Sequence, residues 1–142
     1  MKKGINVLKE YIVVFLSIFA GAGGYLLTTF WFQPIIRYRE IKHEVFADLI
    51  FYANAINSDG FDKIIKNRME QRAESNRRHS AELRASYREL PYWYKKWLER
   101  NGENPMDAAT QLMGLSNTID FDNADKRIEK IKKNLKILTN SV

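Results

Sequence analysis

The chain of 142 residues contains no cysteine and only two histidines. Without cysteine there is no disulfide framework, no thiolate metal site and no cysteine nucleophile, which fits a cytoplasmic domain without excluding a periplasmic one. The histidines are poorly placed for chemistry. His43-Glu44 begins like a zinc-peptidase helix, but the second histidine that motif needs falls on Ala47. His79, inside Arg77-Arg78-His79-Ser80, reads as a solvent-exposed residue. Asp120, Asp122 and Asp125 look loosely like calcium ligands, yet Asp125 and Ile131 occupy the positions where such a loop wants glycine and a bidentate acid. Helix capping accounts for these acids instead. There is no glycine-rich phosphate loop, nucleophile elbow or paired-carboxylate arrangement. No segment alternates with period two for long enough to form a strand. The expectation is an all-α protein that is not an enzyme and carries no metal or cofactor.

What the sequence does have is one long uncharged run, residues 11–32, YIVVFLSIFAGAGGYLLTTFWF. At ~1.5 Å per helical residue it reaches ~33 Å, enough for a hydrocarbon core of ~30 Å. Lys9 and Glu10 bound it on one side, and Gln33, Pro34, Arg37 and Arg39 on the other. A core helix of that length would carry a polar face, and here only Ser17, Thr28 and Thr29 are polar. A signal peptide is the other reading: Met1-Lys2-Lys3 is a basic start and Ala20-Gly21-Ala22 resembles a cleavage site. The apolar run continues well past that site to Phe30-Trp31-Phe32, which favours an uncleaved anchor. Tyr11 at one end, and Trp31 with Phe32 at the other, suit the two membrane interfaces.

Small residues in this run share a face. Ser17, Gly21, Gly24 and Thr28 fall at spacings of 4, 3 and 4, with Ala20 beside them. Helices in lipid associate by close backbone approach at such residues, so the pattern predicts a self-associating anchor.

Residues 1–33 are thus a tail and anchor, and residues 34–142 are one domain by size. Lys2, Lys3 and Lys9 before the anchor nearly balance Arg37, Arg39 and Lys42 after it. The cationic chain beyond, and the missing cysteine, lean the domain toward the cytoplasm. The net charge of +6 speaks to anionic partners and membrane surfaces, not to fold.

Pro34 is expected to end the anchor's register. Residues 35–56 then read as an amphipathic helix, with Ile41, Val45, Leu49, Tyr52 and Ile56 as its stripe, backed by Phe46, Ile50 and Ala53. Asn57-Ser58-Asp59-Gly60 is a turn signal. A long helix is predicted from about Asp62 to Leu90, with Ile65, Met69, Ala73, Leu83, Tyr87 and Leu90 on its apolar face. Asn76 and Ser80 interrupt that stripe and weaken its core character. Pro91 opens a short helix stopped by Asn101-Gly102. Asn104-Pro105 with Asp107 caps the next, which carries Ala108, Ala109, Leu112 and Met113 and frays around Gly114 to Asn117. Asp120 to Asn123 start the last, with Ala124, Ile128, Ile131, Leu135 and Leu138 on one face. The architecture expected is one transmembrane helix followed by a soluble bundle of four to five helices.

Two polar features stand out. Arg77, Arg84 and Arg88 share a helix face and could bind an anionic ligand, since guanidinium matches oxyanions bidentately, although a solvated face, or pairing with acids of another helix or subunit, ranks ahead of that reading. Tyr92-Trp93-Tyr94-Lys95-Lys96-Trp97 has three readings: core, with Trp93 and Trp97 inward; a rest on the bilayer interface; or a stacking platform for a nucleobase. Core ranks first.

Pro34 to Arg39, Val45 to Asn54, Ala81 to Ala85, Leu90-Pro91 and Ala108-Ala109 leading to Leu112–Asn117 together resemble a set of small single-pass bacterial membrane proteins of uncharacterised function. The resemblance covers most of the chain and implies a bacterial inner membrane and a helical soluble domain, with no catalytic residue to carry over. The expected function is non-enzymatic: a self-associating anchor whose domain binds a partner or senses a signal. The alternative is a ligand-gated membrane effector, for example in phage defence, binding an anionic nucleotide-type ligand through Arg77, Arg84 and Arg88. The partners expected are the lipid bilayer, copies of the same chain, and a protein or small anion, with no double-stranded nucleic acid.

Overall fold

The computed structural model describes residues 2–52, 63–118 and 121–137, with side chains over 11–52, 66–118 and 122–137. These residues are all-helical. The first helix, α1 (Lys2–Leu27), passes through a wider π-helical turn at Thr28–Phe32 and continues directly as α2 (Gln33–Phe51). The Gln33 backbone N–H donates to the Thr28 carbonyl, five residues back, which is the hydrogen bond of a π turn. Pro34 does not end the helix as its type suggested. A proline ring presses on the carbonyl four residues earlier and lacks an N–H to bond it. The widened turn lies over those residues and absorbs the conflict without a break.

Among the described residues, one helix is long and apolar enough to cross a membrane, and none of its apolar stretch is buried. From Tyr11 to Phe32 the large apolar side chains are exposed. In α2 the pattern reverses: Tyr38, Ile41, Val45 and Leu49 recur at spacings of three and four and are buried. One continuous helix therefore has a bare apolar stretch and a half that supplies the core.

Four further helices follow, α3 (Lys63–Glu89), α4 (Tyr92–Arg100), α5 (Pro105–Ser116) and α6 (Phe121–Asn134): α2 packs on α3, α3 on α5, and α5 on α6. The core joins the α2 stripe to Leu83, Leu90, Leu98, Ala108, Ala109, Leu112, Leu115, Ala124, Ile131 and Leu135. Alanines on α5 let α3 come close enough for the Ser80 hydroxyl to donate to the Ala109 carbonyl at 2.7 Å. The caps follow the sequence. Asn104 accepts the Asp107 N–H at 3.1 Å, and Pro105 takes the first position of α5. Gly102 ends α4 with φ +72°, a left-handed conformation that glycine adopts without penalty. The Glu103 N–H then reaches back to the Leu98 carbonyl at 2.9 Å, closing the helix end. Helix α5 runs as a helix through Gly114 to Ser116, with Asn117 as its C-cap. Ala53, Asn54, Ile56, the Asn57–Gly60 turn, Asp62, Asp120 and Leu138 lie outside the described residues, as do the side chains of Lys2, Lys3, Lys9 and Ile65.

Candidate functional site

The buried side of α3, beside Leu83, carries many polar residues. Arg72, Ser75, Asn76, His79, Ser80 and Ser86 are all buried there. His79 was expected in solvent and is instead 1% exposed. The reason lies on the other helix: Asp48 of α2 receives the Ser75 hydroxyl and sits 2.9 Å from His79 Nε2 through the same oxygen. Burial alone would raise the Asp48 carboxyl. The hydrogen bonds from Ser75 and His79, with the nearby positive charge of Arg78, outweigh it and hold the group below the ordinary carboxylate range. On its other ring face His79 Nδ1 stands 3.6 Å from Glu82 Oε2. That nitrogen is buried and has no hydrogen-bond partner among the described residues.

A second buried polar group ties α2 to the turn between α4 and α5. Glu103 accepts the Tyr38 hydroxyl at 3.1 Å and the Lys42 ammonium at 2.9 Å. Burial first, and then the Glu103 carboxylate, hold the Tyr38 phenol far above its ordinary range, so Tyr38 remains the donor.

The three arginines do not form one open cradle. Arg77 donates to Asn117 Oδ1 and Arg84 to Thr110 Oγ1, each at 3.2 Å, so both engage residues of α5 or its cap. Arg77 also borders an open depression of about 730 Å³ with Asp48, Glu74 and Arg78, where both signs of charge are present. Arg88 is exposed, and its carbonyl accepts Lys95 Nζ at 2.8 Å.

The core reading of the aromatic cluster is corrected. Trp93 is 51% and Trp97 50% exposed, and Tyr92 is exposed as well. Spacing of i,i+4 places the tryptophans on one face, but Leu98 and half-buried Tyr94 are what α4 turns inward. Tyr94 packs edge-on against Tyr38 with ring centroids 6.4 Å apart and stacks on Trp97 at 5.3 Å. Trp97 and Tyr94 border a cavity of about 360 Å³ with Ile35, the third residue of α2. The same cavity is lined along α2 by Tyr38, Arg39, Lys42 and His43, so Trp97 flanks the first half of that helix.

In the apolar stretch, Ser17 donates to the Val13 carbonyl and Thr28 to the Gly24 carbonyl, both at 2.8 Å. A methyl group built onto Gly21 or Gly24 meets nothing within 4 Å, so this face is open. Ala20, Tyr11, Trp31 and Phe32 are exposed beside it.

Sequence reasoning missed the Asp48–His79 pair because its members lie on different helices. The available signal was the run of polar residues at the buried spacing of α3: Arg72, Asn76, His79, Ser80. No protein-family model matches the chain, and no curated protein or solved structure matches it either.

Proposed function

We propose that this is a single-pass membrane protein of a bacterial inner membrane, non-enzymatic, whose helical domain binds a partner or senses a signal and conveys it to a self-associating anchor. The observation that carries this reading is the single helix that is bare and apolar over Tyr11–Phe32 and core-forming over Tyr38–Leu49. Leaving that many large apolar groups in water is strongly unfavourable, at ~25 cal/mol per Å², and a bilayer removes the cost. A cleaved signal peptide fits less well. Cutting after Ala22 would leave Tyr25, Leu26, Leu27, Phe30, Trp31 and Phe32 bare on the mature domain.

Helical continuity gives the domain a rigid handle on the span. A change in how α3 or α4 grips α2 turns or tilts the apolar segment, because nothing flexible separates them apart from the π turn before Pro34. The open face of Ser17, Ala20, Gly21, Gly24 and Thr28 is where a second copy would pack. The domain is placed on the cytoplasmic side, and its exposed Trp93 and Trp97, with Lys95 and Lys96, rest on the headgroup layer beside the anchor.

Alkaline carbonate washing of membranes containing the full chain tests the reading. The chain should stay in the pellet, and its intact mass should include residues 11–32. Release into the supernatant, or a mass lacking those residues, would overturn it. The ligand-gated alternative is favoured by the exposed Arg77 and Arg88 on α3. It requires nucleotides to raise the melting temperature of the purified chain, since a ligand of the native state must stabilise it.

A further inference from the structure

Three side chains that the reading above leaves unused converge between α2 and α3. Glu44 on α2, and His79 and Glu82 on α3, each bring one potential ligand atom within 4.8 Å of the others. The acids alone would mean little, since exposed carboxylates often gather without an ion. The decisive member is His79, almost fully buried, with a partnerless Nδ1 aimed at Glu82 Oε2 from 3.6 Å. That separation is too long for a hydrogen bond. It is close to the distance between two ligands on one ion, about 3.4 Å for tetrahedral bonds of ~2.1 Å.

The opposite ring nitrogen completes the pattern. Nε2 lies 2.9 Å from Asp48 Oδ2. A carboxylate that accepts the Nε2 proton fixes the tautomer whose lone pair is on Nδ1, and it makes that nitrogen a better donor to a cation. The buried Nδ1 lone pair facing two carboxylates is left without a partner among the described residues, while the carboxylates themselves reach solvent. A divalent cation satisfies all three at once.

We propose that Glu44, His79 and Glu82 bind one divalent first-row transition ion, through His79 Nδ1 and one oxygen of each glutamate, with the remaining positions open to water. One imidazole with two carboxylates suits Zn²⁺ or Mn²⁺ more than Mg²⁺, which prefers oxygen alone. Glu44 is exposed and can rotate to close the remaining gap, while His79 is held by its packing. The ion would cross-link α2, the continuation of the apolar helix, to α3. The inference rests on these two helices and is independent of the membrane reading.

The test uses the full chain in mild detergent, stripped with a chelator and dialysed against Zn²⁺, Mn²⁺ or Mg²⁺, with bound metal counted by mass spectrometry. The expected result is saturable binding of one Zn²⁺ or Mn²⁺ per chain, accompanied by a higher melting temperature. Glu44→Gln and Glu82→Gln alter side chains that are not fully buried, so the fold persists without metal. Each should weaken binding by at least the roughly 10–100-fold that outer-shell changes produce. His43→Ala, at the other histidine, should leave binding unchanged. Absence of saturable binding would overturn the proposal. Undiminished binding in both glutamine variants, or loss of binding in His43→Ala, would overturn it too.

Discussion

Tyr38 and Glu103 are 65 positions apart, and the phenol of one donates to the carboxylate of the other across 3.1 Å in a buried site. Tyr38 stands on the second turn of α2, and Glu103 follows the glycine that ends α4. The pair therefore fixes the helix that leaves the apolar segment to the corner from which α5 begins. Lys42, one turn further along α2, neutralises the same carboxylate. Glu103 is charged and 9% exposed, and these two donors are what make that burial tolerable.

Removing the phenol oxygen should be costly for that reason. Tyr38→Phe is expected to destabilise the domain by about 1.5–3 kcal/mol, the range for hydrogen bonds to charged groups. Glu103→Gln should destabilise it as well, and the double variant should lose less than the sum, because both changes strike one interaction. The measurement is the urea midpoint of the full chain in mild detergent. Strictly additive losses would show that the two residues act separately.

The helices were legible in the sequence wherever the signal was local. Asn104-Pro105 with Asp107 marked the start of α5, Gly102 the end of α4, and Ile41, Val45 and Leu49 the inner stripe of α2. What depended on a partner from elsewhere was not legible. His79 follows Arg77 and Arg78 and precedes Ser80 along α3, and its pairing with Asp48, whose position on α2 no spacing on α3 reveals, is what burial there rests on. For Trp93 and Trp97, periodicity established a shared face but not its direction, and the inward role fell to Leu98. Pro34 looked like a stop because the sequence does not show that a single π turn can carry a helix past it.

The outward tryptophans lead to an optical prediction. Trp31, Trp93 and Trp97 are the three tryptophans of the chain, so in a Trp31→Phe background only those of α4 emit. In reconstituted vesicles their emission should be quenched more by lipids labelled near the headgroup than by lipids labelled at the chain terminus. Trp93→Ala and Trp97→Ala should each change the unfolding midpoint little, since both rings are half-exposed and fill no closed core. Emission that no lipid label quenches would place α4 in water, away from the bilayer.

The lack of cysteine makes membrane orientation measurable with a single introduced thiol. Lys130 is exposed on α6, and Lys130→Cys should fold normally. With a cytoplasmic domain, an impermeant maleimide added to intact cells leaves this thiol unmodified and labels it after the membrane is opened. Full labelling in intact cells would put the domain on the outer side, which the lysines before the anchor would then explain by holding the N-terminus inside.

The small-residue face of the apolar helix makes the last prediction. Gly21 and Gly24 have open space where a side chain would go, so enlarging them strains nothing within one chain. Leucine also favours helix over glycine, by most of the roughly 1 kcal/mol that separates glycine from alanine. Gly21→Leu with Gly24→Leu should therefore leave the fold of the domain intact, with an unchanged urea midpoint. Packing between copies is a different matter. Backbones that approach at glycine cannot do so past two isobutyl groups, and in lipid no hydrophobic gain offsets the lost contact. Cross-linking in detergent and in membranes should show the oligomer ladder of the parent chain collapse toward monomer in this variant, while Ile12→Leu, on the other side of the helix, preserves it. An unaltered ladder in the double-leucine variant would mean that any assembly runs through the soluble helices, and Ser17, Ala20 and Thr28 would then be ordinary residues of a membrane helix.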